Sequence, residues 1–178
     1  MNGFNELIRR RESCRNYLDH PVEKEKLVAC MEAARSAPSA CNSQPWMAHI
    51  VNHPKTSMAI AEALQSMGMN RFASRCPAFI VVTEDAALLS ATVAGKFKSQ
   101  DFAAIDIGIM AAHIVLMATD LGLGSCIIGW FDEDRIKDVL KIEKKRRVRL
   151  VIAIGYSADT ALRPKVRKSL EKTSFFID

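Results

Sequence analysis

The 178-residue chain has no apolar run of about 18 residues, the length needed to cross a bilayer. Its most apolar region, Ile105 to Trp130, is broken by Asp106, His113 and Asp120. No signal-peptide core follows the charged N-terminus, so a cytoplasmic location with no membrane partner is expected. The sequence has no C-x-x-C, and its five cysteines, Cys14, Cys30, Cys41, Cys76 and Cys126, are an odd number. Neither a disulfide framework nor a zinc ribbon is indicated, and free thiols are expected. His49 and His53 would stand roughly 13 Å apart on a strand, too far for one zinc ion, so no metal site is expected. There is no G-x-S-x-G elbow, which argues against a hydrolase. Aromatics are only 7% of the chain, and none interleaves the basic run Lys141 to Arg149, with its six cations and one Glu. That run reads as a solvated loop ahead of a strand, and no nucleic-acid partner is expected.

What is present fits a globular chain. Apolar residues make up 49% of the sequence and charged residues 25%. With no repeat or linker, residues 1–178 read as a single domain with a real core. The net charge of +5 favours an anionic ligand.

Phe4, Leu7 and Ile8 give a short first helix running into basic residues. A second helix opens at Pro21, buries Leu27, Cys30, Met31 and Ala34, and ends at Pro38. Strands are predicted over Met47–Asn52, Pro77–Thr83 and Val148–Tyr156, and a third helix over Lys55–Met67. Phe102–Leu121 predicts a long helix that is apolar nearly all round, so it belongs in the core, at a subunit interface, or in both. Gly122 and Gly124 stop it, Cys126–Trp130 reads as a short apolar turn, and Asp132 caps a small helix to Leu140. Helices and strands do not alternate strictly, which favours an α+β fold or a mixed sheet. The tail from about 157 to 178 has no core-forming period. It is ordered only if it docks on something, such as a partner subunit.

Two segments look chemical. Ala37-Pro38-Ser39-Ala40-Cys41-Asn42-Ser43-Gln44-Pro45-Trp46 is a polar loop suited to holding something planar and polar. The cations Arg11 and Arg15 lie near one end of the chain, and Lys165 and Arg167 lie near the other. Brought together, they would hold a phosphate monoester, for which Arg is the best-shaped ligand. Gly122-Leu123-Gly124-Ser125-Cys126-Ile127-Ile128-Gly129 follows a helix and is not G-x-G-x-x-G, so it fails the dinucleotide fingerprint. Its exposed amides could face a ligand ring. Cys41 reads either as a buried filler or as a thiol lining a substrate pocket.

In order, four features resemble the nitroreductase family of FMN-dependent oxidoreductases over nearly the full chain. They are Arg11-x-Ser13-x-Arg15-x-Tyr17, the Ala37–Trp46 loop, the long helix running into Gly122–Gly129, and Ala153-Ile154-Gly155-Tyr156 followed by Lys165-x-Arg167. The resemblance implies a mixed, mainly antiparallel sheet flanked by helices in an intertwined homodimer, with FMN tightly bound at the interface and NAD(P)H as co-substrate. It implies that Arg11, Lys165 and Arg167 hold the phosphate, with Ser13 beside it or the ribityl chain. Arg15 would lie near the N1/O2 edge of the flavin, where a guanidinium stabilises the negative charge of the reduced ring. Pro38, Ser39 and Asn42 would contact the ring, Pro38 and Ser39 from the partner's side. The backbone of Ile127, Ile128 and Gly129 would face N5 and O4.

Hydride would pass from NAD(P)H to a nitroaromatic, quinone or similar acceptor by a ping-pong scheme that needs no catalytic side chain. The alternatives are a flavin-binding redox sensor, which Cys41 would suit, or a relative with other flavin chemistry, such as flavin destruction, dehalogenation or dehydrogenation. Against the family pattern, Glu12 sets an acid beside the phosphate cluster and Cys41 replaces a smaller or hydroxyl residue. The stretch between Thr83 and Phe102 is too short for the lid of larger relatives, so the pocket is expected to be open.

Overall fold

The computed structural model describes residues 3–85 and 100–177, so most of the stretch between Thr83 and Phe102, and with it the expected missing lid, lies outside the described residues. Helix α1 (Phe4–Arg10) leads to an extended segment and then α2 (Lys24–Arg35). Strand β1 (Trp46–Val51), α3 (Pro54–Leu64) and β2 (Ala78–Glu84) follow. Next come α4 (Phe102–Asp120), β3 (Gly124–Ile128), α5 (Glu133–Leu140) and β4 (Val148–Gly155). The strands form one sheet in the order β1-β2-β4-β3, and every neighbouring pair is antiparallel. This is the α+β arrangement expected from the sequence.

Strands β2 and β4 are apolar over Ala78–Val82 and Leu150–Ile154 because both faces of the sheet are covered there. Phe79, Val81, Val151 and Ala153 point to one side, into a core closed by Ile60 and Leu64 of α3 and Ile136 of α5. Ile80, Val82, Ile152 and Ile154 point to the other, against Leu27 and Cys30 of α2 and Ile107, Met110 and Ile114 of α4. The alternation follows from the two-residue period of a strand.

Three elements depart from the sequence reading by more than a residue. Pro21 lies three residues ahead of α2, which starts at Lys24 and ends at Arg35, before Pro38. α3 stops at Leu64, and Ser66–Gly68 forms a separate 3-10 turn with Met67 at φ 56°. Of the expected turn at Cys126–Trp130, Cys126–Ile128 is instead the end of edge strand β3.

The glycines around β3 explain the disguise. Gly122 (φ +77°) closes α4, its amide bonding Thr119 O at 3.1 Å and the Leu123 amide bonding Ala118 O at 2.8 Å. This pair of bonds is the Schellman pattern, in which a left-handed residue satisfies the last carbonyls of a helix. Gly124 and Gly155 face each other across β3 and β4. A Cβ on Gly124 would meet Cys14 Cβ at 2.8 Å, and one on Gly155 would meet Pro77 Cδ at 2.8 Å and Tyr17 Cδ1 at 2.9 Å. Both glycines are bare so that the Ser13–Tyr17 segment can lie across the sheet.

α4 needs qualification as a core helix. By length and apolar composition it could cross a bilayer, contrary to the sequence expectation, and 44% of that apolar window is buried inside the fold. Asp106 and His113 do not interrupt it. Asp106 Oδ2 accepts from the Ala40 amide at 3.0 Å, and His113 Nδ1 lies 2.9 Å from Ile109 O. The outer stripe of Ile105, Gly108, Ile109, Ala112 and Leu116 stays exposed or half-exposed. Phe4, Ile8 and Val28, on the neighbouring helices, are exposed too.

Candidate functional site

The Ser13–Tyr17 segment is extended and lies against the edge of the sheet. Cys14 and Tyr17 are buried, whereas Ser13 and Arg15 are not. Ser13 forms a parallel bridge with Ser125, and the Cys14 amide donates to Ser125 O at 2.9 Å. Tyr17 anchors the segment by donating its hydroxyl to Cys14 O at 3.0 Å, and burial holds the phenol far above its ordinary pKa.

That anchoring turns Arg11, Ser13 and Arg15 toward the returning C-terminal segment. The two segments enclose a cavity of about 310 Å³ lined by Arg11, Glu12, Ser13 and Arg15 on one side and Arg163–Arg167 on the other. Residues about 150 positions apart therefore meet, as the phosphate reading requires. No carboxylate forms an ion pair with Arg11, Arg15, Lys165 or Arg167 among the described residues. Lys165 Nζ donates to the carbonyls of Arg9 and Arg11, the latter at 2.8 Å, which leaves one of its three donors. Partial desolvation, and then the positive charge of Arg11, lower the Lys165 pKa. Arg15 lies 5.9 Å from the centre of the Phe72 ring, a cation–π contact.

β3 borders the cradle with its outer edge, which Ser13 and Cys14 cover at Ser125. Because Ser125 O faces outward to Cys14, the Ile127 amide and carbonyl face outward as well, and those of Ile128 turn to β4. Ile128 is buried in the core, and Gly129, just past the strand, is exposed. Of the three positions expected to offer backbone to a ring, Ile127 and Gly129 are the accessible ones.

The Ala37–Trp46 loop lies elsewhere. Cys41, Asn42 and Gln44 all have positive φ, at 53°, 52° and 45°. Ser39 Oγ accepts from the Gln44 amide at 3.0 Å, and Gln44 Nε2 donates to Asn42 Oδ1 at 3.2 Å. Pro38, Cys41 and Asn42 are exposed and Ser39 is half-buried, so Cys41 is not a buried filler. Ser43 Oγ is buried with no hydrogen-bond partner. Asp106, near the start of α4, holds this loop, whereas Arg10 reaches Thr119 O near the end of α4 at 3.4 Å. Thirteen helical residues separate those anchor points, about 20 Å at 1.5 Å per residue. Within one chain, the loop and the basic cradle are not brought together.

Sequence reasoning missed Asp106 and Arg163. Asp106 had one usable signal, a carboxylate in a helix otherwise apolar nearly all round. Arg163 had none, because its partner Glu12 is 151 positions away. The basic run, expected to be solvated, is partly paired: Arg146 with Asp85 at 3.0 Å, and Arg149 with Glu84 at 2.5 Å and Asp101 at 3.1 Å.

The fold, a four-stranded antiparallel sheet covered by helices, is shared with solved structures. A nitroreductase family protein from Streptococcus pneumoniae TIGR4 superposes with a TM-score of 0.83 at 26% identity, covering 98% of this chain and 100% of that one. The sequence profile of the Nitroreductase family matches residues 8–156, and the chain belongs to that family. A Streptococcus pyogenes protein that carries NAD(P)H nitroreductase as a provisional name is 29% identical over 86% of this chain and 90% of its own length. The FMN reductase [NAD(P)H] of Bacillus subtilis is 26% identical over 93% of this chain and 71% of its own length.

Proposed function

We propose that the protein is an FMN-dependent NAD(P)H oxidoreductase that works as a homodimer. Family membership and the names of the relatives support the class. The observation that carries the cofactor reading is the cradle of Arg11, Arg15, Lys165 and Arg167, cations without an ion-paired acid among the described residues, around a cavity of phosphate-accepting size. A phosphate monoester carries close to two negative charges and several strong acceptors, which this donor set fits.

In the dimer, Arg11, Lys165 and Arg167 bind the phosphate and Ser13 adds a hydrogen bond. Arg15, fixed against Phe72, places positive charge at the ring edge. Ile127 and Gly129 offer backbone groups to the ring. Pro38, Ser39 and Asn42 come from the partner, because in their own chain the point on α4 that holds their loop lies about 20 Å from the point that holds Arg10, next to the cradle. The exposed stripe on α4, together with Phe4, Ile8 and Val28, is the surface that pairs, and the tail beyond residue 167 docks on the partner. FMN, when bound, supplies hydride transfer from NAD(P)H to a nitroaromatic, quinone or similar acceptor, and the protein supplies position, charge and exclusion of water. The location proposed is cytoplasmic.

The visible spectrum of the purified protein tests the reading. Expected are flavin bands, alone or after added FMN, that bleach anaerobically with NADH or NADPH. A colourless protein that takes up no FMN would overturn it.

A further inference from the structure

Five basic residues and one acid line the cradle. Cations gathered from two distant segments repel one another, so something must hold the segments together before any ligand arrives. The acid is Glu12, whose side chain is only 17% exposed. Its Oε2 accepts from Arg163 Nε at 3.2 Å and from the Arg163 backbone amide at 3.3 Å. The same guanidinium donates through Nη2 to Ser13 O. One residue beyond Pro164, Lys165 then grips the carbonyls of Arg9 and Arg11.

We propose that Glu12 and Arg163 form a clasp that folds the C-terminal segment onto the N-terminal arm and so positions Lys165 and Arg167 for the cofactor phosphate. The proposal rests on the FMN reading above. Glu12 is a positioning residue and touches no ligand. Its acidity, out of place in a phosphate site, is what offsets the crowding of cations there.

Two roles for Glu12 predict opposite signs. If it were only a negative charge near the phosphate, Glu12→Gln would tighten FMN binding by removing repulsion. As a clasp, its loss frees the segment and weakens binding. A half-exposed ion pair is worth up to about a fivefold change in affinity. The experiment titrates FMN and riboflavin, which lacks the phosphate, into wild-type apoprotein and into Glu12→Gln and Arg163→Gln variants, following flavin fluorescence. Expected are FMN dissociation constants raised about fivefold in both variants, unchanged riboflavin binding, and faster tryptic cleavage at Lys165 and Arg167 in the apoproteins. Arg163 is half-exposed but itself lines the cradle, so its variant tests the clasp through tryptic cleavage of the apoprotein, which loss of a phosphate-facing cation alone leaves unchanged. FMN affinity equal to or tighter than wild type in Glu12→Gln, cleavage at the wild-type rate in Arg163→Gln, or an equal loss for riboflavin, overturns the clasp. A wild type that binds no FMN overturns the cofactor reading itself.

Discussion

The basic cradle and the Ala37–Trp46 loop are both candidate binding regions, yet they are built in opposite ways. The cradle is closed within one chain: arm and tail are tied by the Glu12–Arg163 pair and by Lys165 on backbone carbonyls. The loop is held from below by a single bond from Asp106 and otherwise bonds mainly to itself. It carries three non-glycine residues at positive φ and a buried, unpartnered Ser43 hydroxyl. Strain and an orphan polar group at an exposed loop are what an unfinished site shows. On the proposed function, the cradle is one half-site and the loop is the half offered to another chain.

The largest expected effect comes from separating the two halves. Ile105→Asp would set an unpaired carboxylate in the exposed α4 stripe, and burying such a charge in an interface costs several kcal/mol. Sedimentation velocity should find monomers at concentrations where wild type is dimeric, with FMN retention lost. A dimer of wild-type strength would remove α4 from the interface.

Gly124→Val strikes the cradle alone. The new Cβ falls on Cys14, and displacing the Ser13–Tyr17 segment should cost about 3 kcal/mol in urea unfolding. Arg11→Ala leaves the fold intact and removes one charge-assisted bond, worth about 2 kcal/mol or roughly thirtyfold in FMN affinity. Unchanged affinity would place the phosphate elsewhere.

On the loop side, Asp106→Asn weakens the one hydrogen bond to α4 among the described residues. Loss of a charge-assisted bond to the Ala40 amide should lower stability by about 1.5 kcal/mol, while binding of inorganic phosphate at the cradle stays unchanged. A fall in phosphate affinity would mean that the halves communicate through α4 within one chain.

This contrast also marks what the sequence could disclose. Strands β2 and β4 and the core face of α4 were legible because burial on both sides of a sheet writes long apolar runs. So was the Asp132 cap, whose Oδ1 accepts from the Arg135 amide at 3.0 Å. Strand β3 was not, because Gly124 and Gly129 bracket it and look like turn residues, whereas Gly124 is bare to admit Cys14. The cradle was legible only as two separate basic clusters. Its assembly depends on Glu12 and Arg163, whose meeting is a matter of tertiary distance that no local pattern carries. Glu12 looked like an intruder in a phosphate site until its partner was visible.

The smallest effect tests whether the loop's strain is real. Cys41 stands at φ 53°, ψ 25°, where a side chain costs about 1 kcal/mol and glycine costs nothing. Cys41→Gly relieves that strain but adds freedom to the unfolded chain, which offsets about half of the gain. Thermal unfolding should therefore show stabilisation of about 0.5 kcal/mol, even though a side chain has been deleted. The thiol is exposed, whereas Cys76, which burial pushes up to about 12, and Cys30, pushed up to about 11, lie in the core. One thiol in five should thus react rapidly with a thiol reagent in the native protein, and that reaction should vanish in Cys41→Gly. If the variant is instead destabilised by 1 kcal/mol or more, the Cys41 side chain makes a contact that the single chain does not contain. That contact would have to come from the partner, and the loop would then be shown to reach across.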